Sequence, residues 1–312
     1  MIRVGIDVGG TGIKVGLINT EHQIVGEGAI HTFTDIPFEE QVQHIAQCVL
    51  DTVEKANLSR TDIQSVGVGI PGVSNSAGEV IKCANMGWFH VPFREVFRRF
   101  LDVPVHIDND ANVAALAESV TGVSAGTSSS VFITIGTGIG SGIIINGKIW
   151  NGFHGIGGEL GHVILGLHGV PCTCGNRGCL ERYCSATALI RMGREAAAAH
   201  PESRILSMAG GDPANIEART VIDSAREQDP TALAVYAEYI DNLSQAIASV
   251  VNLLDPEVIV IGGGVSKAGD FLLDPLHREY PKYVVYNDQP MPPIKLAVLG
   301  ARAGVIGAAM LS

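Results

Sequence analysis

Two patterns of apolar positions alternate along the chain. Short β-branched runs end abruptly at glycine, and longer stretches repeat an apolar residue every three or four positions. Residues 2–8, 12–19 and 23–31 show the first pattern and predict three strands, joined by tight turns at 9–12 and 19–22. Residues 37–57 show the second, with Pro37 suited to a first helical position and Phe38, Val42, Ile45, Val49 and Val53 on one face. A buried strand is expected over 63–70, stopped by Pro71-Gly72. Residues 92–101 predict a helix with Phe93, Val96, Phe97 and Phe100 inward and Arg94, Arg98 and Arg99 on the solvated face. A strand over 103–108 then runs into Asp108-Asn109-Asp110 and a helix over 111–120.

The stretch TGVSAGTSSS at 121–130 is small and polar, as a boundary or hinge would be. After it the opening pattern returns. Residues 5–19 (GIDVGGTGIKVGLIN) align without a gap on 132–146 (FITIGTGIGSGIIIN), and Asn146-Gly147 is a hairpin signal. Any two glycine-rich hairpins look somewhat alike, but helix-rich stretches follow both copies, which favours duplication. Further helices are expected over 187–199, 216–228 and 231–253, the last ended by Asp255-Pro256. A buried strand at 257–261 runs into Gly262-Gly263-Gly264, and a strand over 294–299 and a helix over 302–311 complete the chain. The expected architecture is mixed α/β in two similar lobes: 1–120 with 300–312 as the smaller, 121–299 as the larger.

Composition narrows the function classes. The 312 residues are 46% hydrophobic and 17% charged, with a net charge of −11. Such an acidic chain has no electrostatic reason to seek nucleic acid or an anionic membrane surface. The N-terminal MIRVGIDVGG lacks the pattern of a signal peptide, and no run approaches the ~20 apolar residues of a membrane span, so a cytoplasmic location is expected. Glycine, at 38 residues, sits at the ends of apolar runs, where it marks turns and close backbone approach to a ligand.

Three of these glycine turns are candidate phosphate loops: Gly9-Gly10-Thr11-Gly12 with Lys14 after it, Gly136-Thr137-Gly138 with Gly140, and Gly262-Gly263-Gly264. The first lacks the Gly-Lys-Ser/Thr ending of a Walker loop and is followed by a strand, which also excludes a dinucleotide fingerprint. One such loop is an ordinary hairpin turn; three at strand ends fit a nucleotide. In Asp108-Asn109-Asp110-Ala111-Asn112 one residue serves as a helix cap, and the surplus acid suits a general base. Four of the six cysteines lie between His162 and Cys184, a density that points to a disulfide framework, a redox pair or a metal site. A reducing compartment weakens the first of these.

DVGGTGIK, IDNDAN, GTGIGSG, GGELGH and CTCGNRGCLE, in this order, resemble the ROK family of bacterial sugar kinases, within the superfamily of sugar kinases, Hsp70 and actin. The resemblance spans essentially the whole chain. It implies a two-lobed actin/hexokinase-like (ribonuclease H-like) duplicated fold with a cleft between the lobes, and ATP-dependent phosphorylation of a hexose at its 6-hydroxyl with Mg²⁺. Some members are repressors carrying a helix-turn-helix segment ahead of this core, for which a first strand at Ile2 leaves no room.

By that resemblance Asp110 is the catalytic base, and Asn109, Asn85, Glu159, His162 and Glu181 hold the sugar. Gly10, Thr11, Thr137 and Gly138 cradle phosphate, with Gly9, Gly12, Lys14, Gly136 and Gly140 in the same loops. Gly262, Gly263 and Gly264 form the adenosine side, and Asp7 orients the Mg²⁺ shell. Cys172, Cys174 and Cys179, with His162 ten residues upstream, match the family's structural zinc motif. His168 is a rival for His162, and Cys48, Cys83 and Cys184 are expected to be packed thiols. The polar set implies glucose, with allose, fructose, N-acetylglucosamine and N-acetylmannosamine as rivals and a catalytically inactive sugar sensor as another class. Arg182-Tyr183 departs from the small threonine that follows the glutamate in many glucose-specific members, and is expected to reshape the sugar's far side. The resemblance also favours a homodimer or homotetramer.

Overall fold

The computed structural model describes residues 1–311. Its first stretch runs β1 (Ile2–Val8), β2 (Gly12–Ile18), β3 (Ile24–His31), α1 (Phe38–Lys55), β4 (Ile63–Ile70), β5 (Val73–Ser74), β6 (Val80–Cys83), β7 (Trp88–Val91), α2 (Phe93–Arg98), β8 (Val105–Asn109) and α3 (Asp110–Val120). Then come β9 (Ser129–Ile135), β10 (Ile139–Ile145), β11 (Lys148–Ile149), α4 (Glu181–Cys184), α5 (Ala186–Ala199), α6 (Arg204–Met208), α7 (Ala218–Arg226) and α8 (Pro230–Leu254). β12 (Val258–Gly262), α9 (Asp270–Glu279), β13 (Ile294–Leu296) and α10 (Ala303–Ala309) finish the chain.

Two five-stranded sheets have matching strand orders, β3-β2-β1-β4-β8 and β11-β10-β9-β12-β13. In each, the first strand of the aligned segment is central, its glycine-turn partner lies on one side, and a later parallel strand lies on the other. The duplication read from 5–19 and 132–146 is therefore a duplication of topology. A small antiparallel sheet, β5-β6-β7, was not legible. Its strands span two to four residues, too short for alternation to register. α9 was also unforeseen, because Pro275 lies inside it and only Leu272 and Leu276 are buried.

The chain divides into two units. The first comprises 1–128, 142–158 and 298–311; the second comprises 129–141 and 159–297. The ranges expected from sequence, 1–120 with 300–312 and 121–299, lack the return of 142–158 to the first unit; Ser312 lies outside the described residues.

The core of the first unit joins β1 and β4, through Ile6, Val68 and Ile70, to the buried face of α1 and to Trp88, Phe93 and Phe97. Trp88 donates its indole N–H to Gln41 Oε1 at 2.8 Å, which satisfies both buried polar groups. Of the three arginines expected in solvent, Arg98 and Arg99 are exposed and ion-paired with Asp102, Glu95 and Glu39. Arg94 is not: it turns inward and donates to the backbone carbonyls of Val105 and Ser76 at 2.8 and 2.9 Å. One carbonyl opens β8 and the other lies in the turn after β5, so the guanidinium ties that turn to the edge strand.

α10 lies against β1, β4 and α3 with backbone nearly touching backbone. A Cβ on Gly5 would fall 1.8 Å from the Val305 carbonyl oxygen, and one on Gly67 1.7 Å from that of Ala308. Neither carbonyl has a flexible end that can yield. Gly67→Ala is accordingly expected to destabilise the protein by at least about 2 kcal/mol, the cost of forcing backbone apart in a packed core. Thermal unfolding would read this as a clear fall in Tm; an unchanged Tm would show that α10 shifts freely. Among the described residues no helix is long and apolar enough to cross a membrane.

Candidate active site

In the first unit β1, β4 and β8 run parallel, so their C-terminal ends share one edge of the sheet. That edge is where open α/β sheets bind ligands. After β1 the turn Gly9–Gly12 closes with Gly9 N–H donating to Gly12 O at 3.0 Å, and Thr32 Oγ1 straps it by donating to Gly9 O at 2.7 Å. Thr11 and Lys14 are exposed there. Asp7 stands at the end of β1 opposite Lys14. Burial pushes its carboxyl pKa up, and the Lys14 charge opposes the shift. A Cβ on Gly304 would lie 2.5 Å from the Asp7 carboxylate, so α10 leaves space for that group and nothing more.

Asn85 sits on the helical turn Ala84–Met86, held by buried Met86 and Trp88 and ended by Gly87 at φ +68°. Its side-chain amide nitrogen would be 3.7 Å from a Cβ on Gly10, so the first glycine turn and Asn85 are neighbours. After β4, Gly72 lies against the Lys82–Cys83 backbone, and its carbonyl accepts from Asn109 Nδ2 at 3.2 Å. Asn109 also caps α3, its Oδ1 accepting from Ala111 N–H at 2.8 Å and Asn112 N–H at 3.4 Å. Asp110 opens α3 beside this cap with its carboxylate exposed, and its Oδ1 accepts from Ala111 N–H at 2.8 Å. This edge thus gathers Gly10, Asn85, Asn109 and Asp110. Cys83, buried beside it, is pushed up to about 11 by burial and stays a protonated, packed thiol.

In the second unit β9 and β12 are parallel neighbours, and the two glycine turns that follow them adjoin. Gly136 N–H donates to Gly138 O at 3.0 Å, and a Cβ on Gly263 (φ +84°) would be 2.4 Å from Ile135 O. Gly263 therefore has two reasons to be glycine, a left-handed backbone and close approach to β9. The start of α5 fastens the 136–138 turn: Ala186 N–H donates to Gly136 O at 2.9 Å and Thr187 Oγ1 to Thr137 O at 2.7 Å. Neither α5 contact was foreseen, since nothing local in the sequence links 137 to 187.

Glu159 is exposed at the start of the turn Leu160–His162, and His162 N–H donates back to its carbonyl at 3.0 Å. Glu181 opens α4, with a carboxylate oxygen 2.7 Å from where a Cβ on Gly138 would stand. That places Glu181 beside the phosphate-type turn. The His162 ring and the thiols of Cys172, Cys174 and Cys179 have ligand atoms all within 4.8 Å of one another. Cys174 Sγ is 3.6 Å from Cys179 Sγ, and Cys172 Sγ is 3.8 Å from His162 Nδ1. Tetrahedral Zn²⁺ with Zn–S bonds near 2.3 Å separates sulfurs by about 3.8 Å, so this donor set fits a closed zinc site. His168 is exposed and lies outside the cluster. Cys48, Cys83 and Cys184 are buried free thiols.

Tyr183 has a contact that its sequence neighbours do not announce. Its hydroxyl accepts from Val170 N–H at 3.0 Å and lies where a Cβ on Gly169 would reach 1.8 Å. Tyr183 thus braces the cysteine loop.

A family model described as the ROK family matches residues 3–312. A glucokinase of Halalkalibacterium halodurans is 37% identical over 310 residues, 99% of this chain and 94% of its own. One of Streptomyces coelicolor is 34% identical over 315 residues, 100% and 97% of the two chains. Among solved structures, a ROK family glucokinase from Streptomyces griseus in complex with glucose and AMPPNP superposes with TM-score 0.81 at 32% identity, covering 100% of this chain and 99% of that one. A ROK hexokinase from Thermus thermophilus gives TM-score 0.85 at 30% identity, covering 100% and 98%. With the motif order, the duplicated sheet topology and these full-length likenesses in agreement, the chain belongs to the ROK family.

Proposed function

We propose that this chain transfers the γ-phosphoryl group of ATP to the 6-hydroxyl of a hexose, with glucose as the preferred acceptor. The observation that carries this reading is the exposed Asp110 carboxylate at the edge that also presents Asn109 and Asn85. The names of the relatives, and the glucose and AMPPNP in the neighbouring structure, support the choice of sugar and donor.

Asp110 accepts the hydroxyl proton as the sugar oxygen bonds to the γ-phosphorus. The bond to the β–γ bridging oxygen breaks and ADP departs. Asn85, Asn109, Glu159, His162 and Glu181 pair the remaining sugar hydroxyls. Gly9, Gly10, Thr11, Gly12 and Lys14 hold phosphate from the first unit. Gly136, Thr137, Gly138 and Gly140 do so from the second, where Gly262, Gly263 and Gly264 face the adenosine. Asp7 orients the hydration shell of Mg²⁺, whose charge offsets that of the β- and γ-phosphates when bound. His162, Cys172, Cys174 and Cys179 would hold one Zn²⁺, which would supply a structural role with no chemical step.

The test is a panel of glucose, allose, mannose, fructose and the N-acetylhexosamines with ATP and Mg²⁺. Glucose is expected to show the highest kcat/KM, by at least about tenfold over any sugar lacking one of the paired hydroxyls, because a site built for a hydroxyl leaves buried groups unpaired without it. A higher kcat/KM for allose or N-acetylmannosamine removes the glucose assignment. Absence of ADP release with every sugar favours the inactive sensor.

A further inference from the structure

The turn that presents Asp110 is held by its own neighbour in sequence, and that neighbour is reached from a loop. Asp108 is the penultimate residue of β8. Its Oδ1 accepts from Asn109 N–H and from Asn112 Nδ2, each at 2.7 Å, and its Oδ2 accepts from Asn151 Nδ2 at 3.4 Å. The first two bonds tie strand end to helix start. Among the described residues the buried Asn112 Oδ1 has no hydrogen-bond partner, so the amide nitrogen anchors that side chain. The third bond is the longest, and its donor alone stands outside the strand–helix turn.

That donor occupies the neck of a loop. Asn151 O accepts from Gly157 N–H at 2.8 Å and closes residues 151–157 into a ring, two residues before Glu159. The ring has little else to fix it to the core: Phe153 is 96% exposed and Ile156 58%. Between neck and strand lies a cavity of about 600 Å³ lined by Ser74, His106, Asp108, Asn151 and Gly155, among others, so the neck has room to shift toward Asp108. A long bond across such a space tightens when the loop settles.

We infer that Asn151 and Asp108 are positioning residues, through which the conformation of the 151–157 loop sets the orientation of the Asn109-Asp110 turn. The catalytic meaning rests on the function proposed above; the mechanical coupling does not. Whatever draws Glu159 into place moves the neck, shortens the Asn151–Asp108 bond and stiffens the turn that carries Asp110. Neither residue touches substrate in this scheme.

Asn151→Ala removes the donor from a partly exposed loop position and leaves the strand–helix bonds intact. Backbone amide exchange at Asn109, Ala111 and Asn112 is expected to quicken at least about threefold, with Tm little changed. With glucose and ATP, kcat should fall about tenfold while KM for ATP holds, and Asn151→Gln, which keeps the donor, should recover part of it. Combined with Asp108→Asn, the losses should be markedly less than multiplicative, as for any contacting pair. Unchanged exchange at the turn, or fully multiplicative losses, overturns the inference. Quickened exchange in a chain that phosphorylates no hexose leaves the coupling standing and removes the proposed function instead.

Discussion

Asp110→Asn is expected to lower kcat by at least about a hundredfold while glucose still binds with near-normal affinity. Asparagine keeps the size of the side chain and an oxygen able to accept from Ala111 N–H, so the local geometry survives. The helix cap survives as well, because Asn109 provides it. What disappears is an oxygen that can take a proton as the sugar oxygen attacks phosphorus. A paired measurement of turnover and of glucose binding by calorimetry separates these contributions. Near-normal turnover in a folded Asp110→Asn protein would show that the base lies elsewhere.

Loss of the metal should act on the sugar and largely spare the nucleotide. The loop from Val163 to Leu180 is knitted by backbone bonds of no regular element, such as Leu180 N–H to Val163 O at 2.8 Å and Cys172 N–H to Asn176 O at 2.8 Å. It leaves Val163, Ile164 and Leu167 exposed and buries little apolar surface of its own. Folding of such a segment is coupled to its metal. Glu181 follows the last cysteine by two residues, and Cys172 Sγ lies 3.0 Å from its Oε1. On the zinc reading proposed above, Cys174→Ser is therefore expected to abolish metal binding and to weaken glucose binding by about 10- to 100-fold. The 136–138 turn is fastened to α5 and Gly263 to β9, so nucleotide affinity should change much less. Elemental analysis and separate titrations with glucose and a non-hydrolysable ATP analogue give the answer. A metal-free protein of full activity, or a Cys174→Ser protein that binds glucose normally, reduces the cysteines to packed thiols.

Strands and helices long enough to repeat a pattern were legible from sequence. β1, β4 and α1 were found within two residues, because each buries one face or both and its apolar spacing says so. The candidate site was legible where chemistry is concentrated in consecutive residues, as in Asp108-Asn109-Asp110 and the cysteine run. It was not legible where the third dimension pairs distant residues. Asn151 with Asp108 spans 43 positions and Thr187 with Thr137 spans 50, and no local preference announces either. Arg94 looked like a solvated cation because its helix places it beside Arg98 and Arg99, yet it turns inward and donates to the backbone carbonyls of Val105 and Ser76. Tyr183 likewise has a partner in space, Val170, thirteen positions away, that its sequence neighbours do not announce.

The dependence of the first unit on residues 298–311 also sets an order of events during synthesis. The groove formed by Gly5, Gly67 and Val113 of α3 receives α10, which a ribosome makes only after the whole second unit. At usual elongation rates the nascent first unit waits on the order of ten seconds, its glycine-floored groove open, until its closing helix emerges. The second unit has all its residues between 129 and 297 and needs nothing later in the chain. A message truncated shortly before codon 298 would thus yield a complete second unit joined to a first unit that lacks its final piece, a species suited to chaperones and proteases.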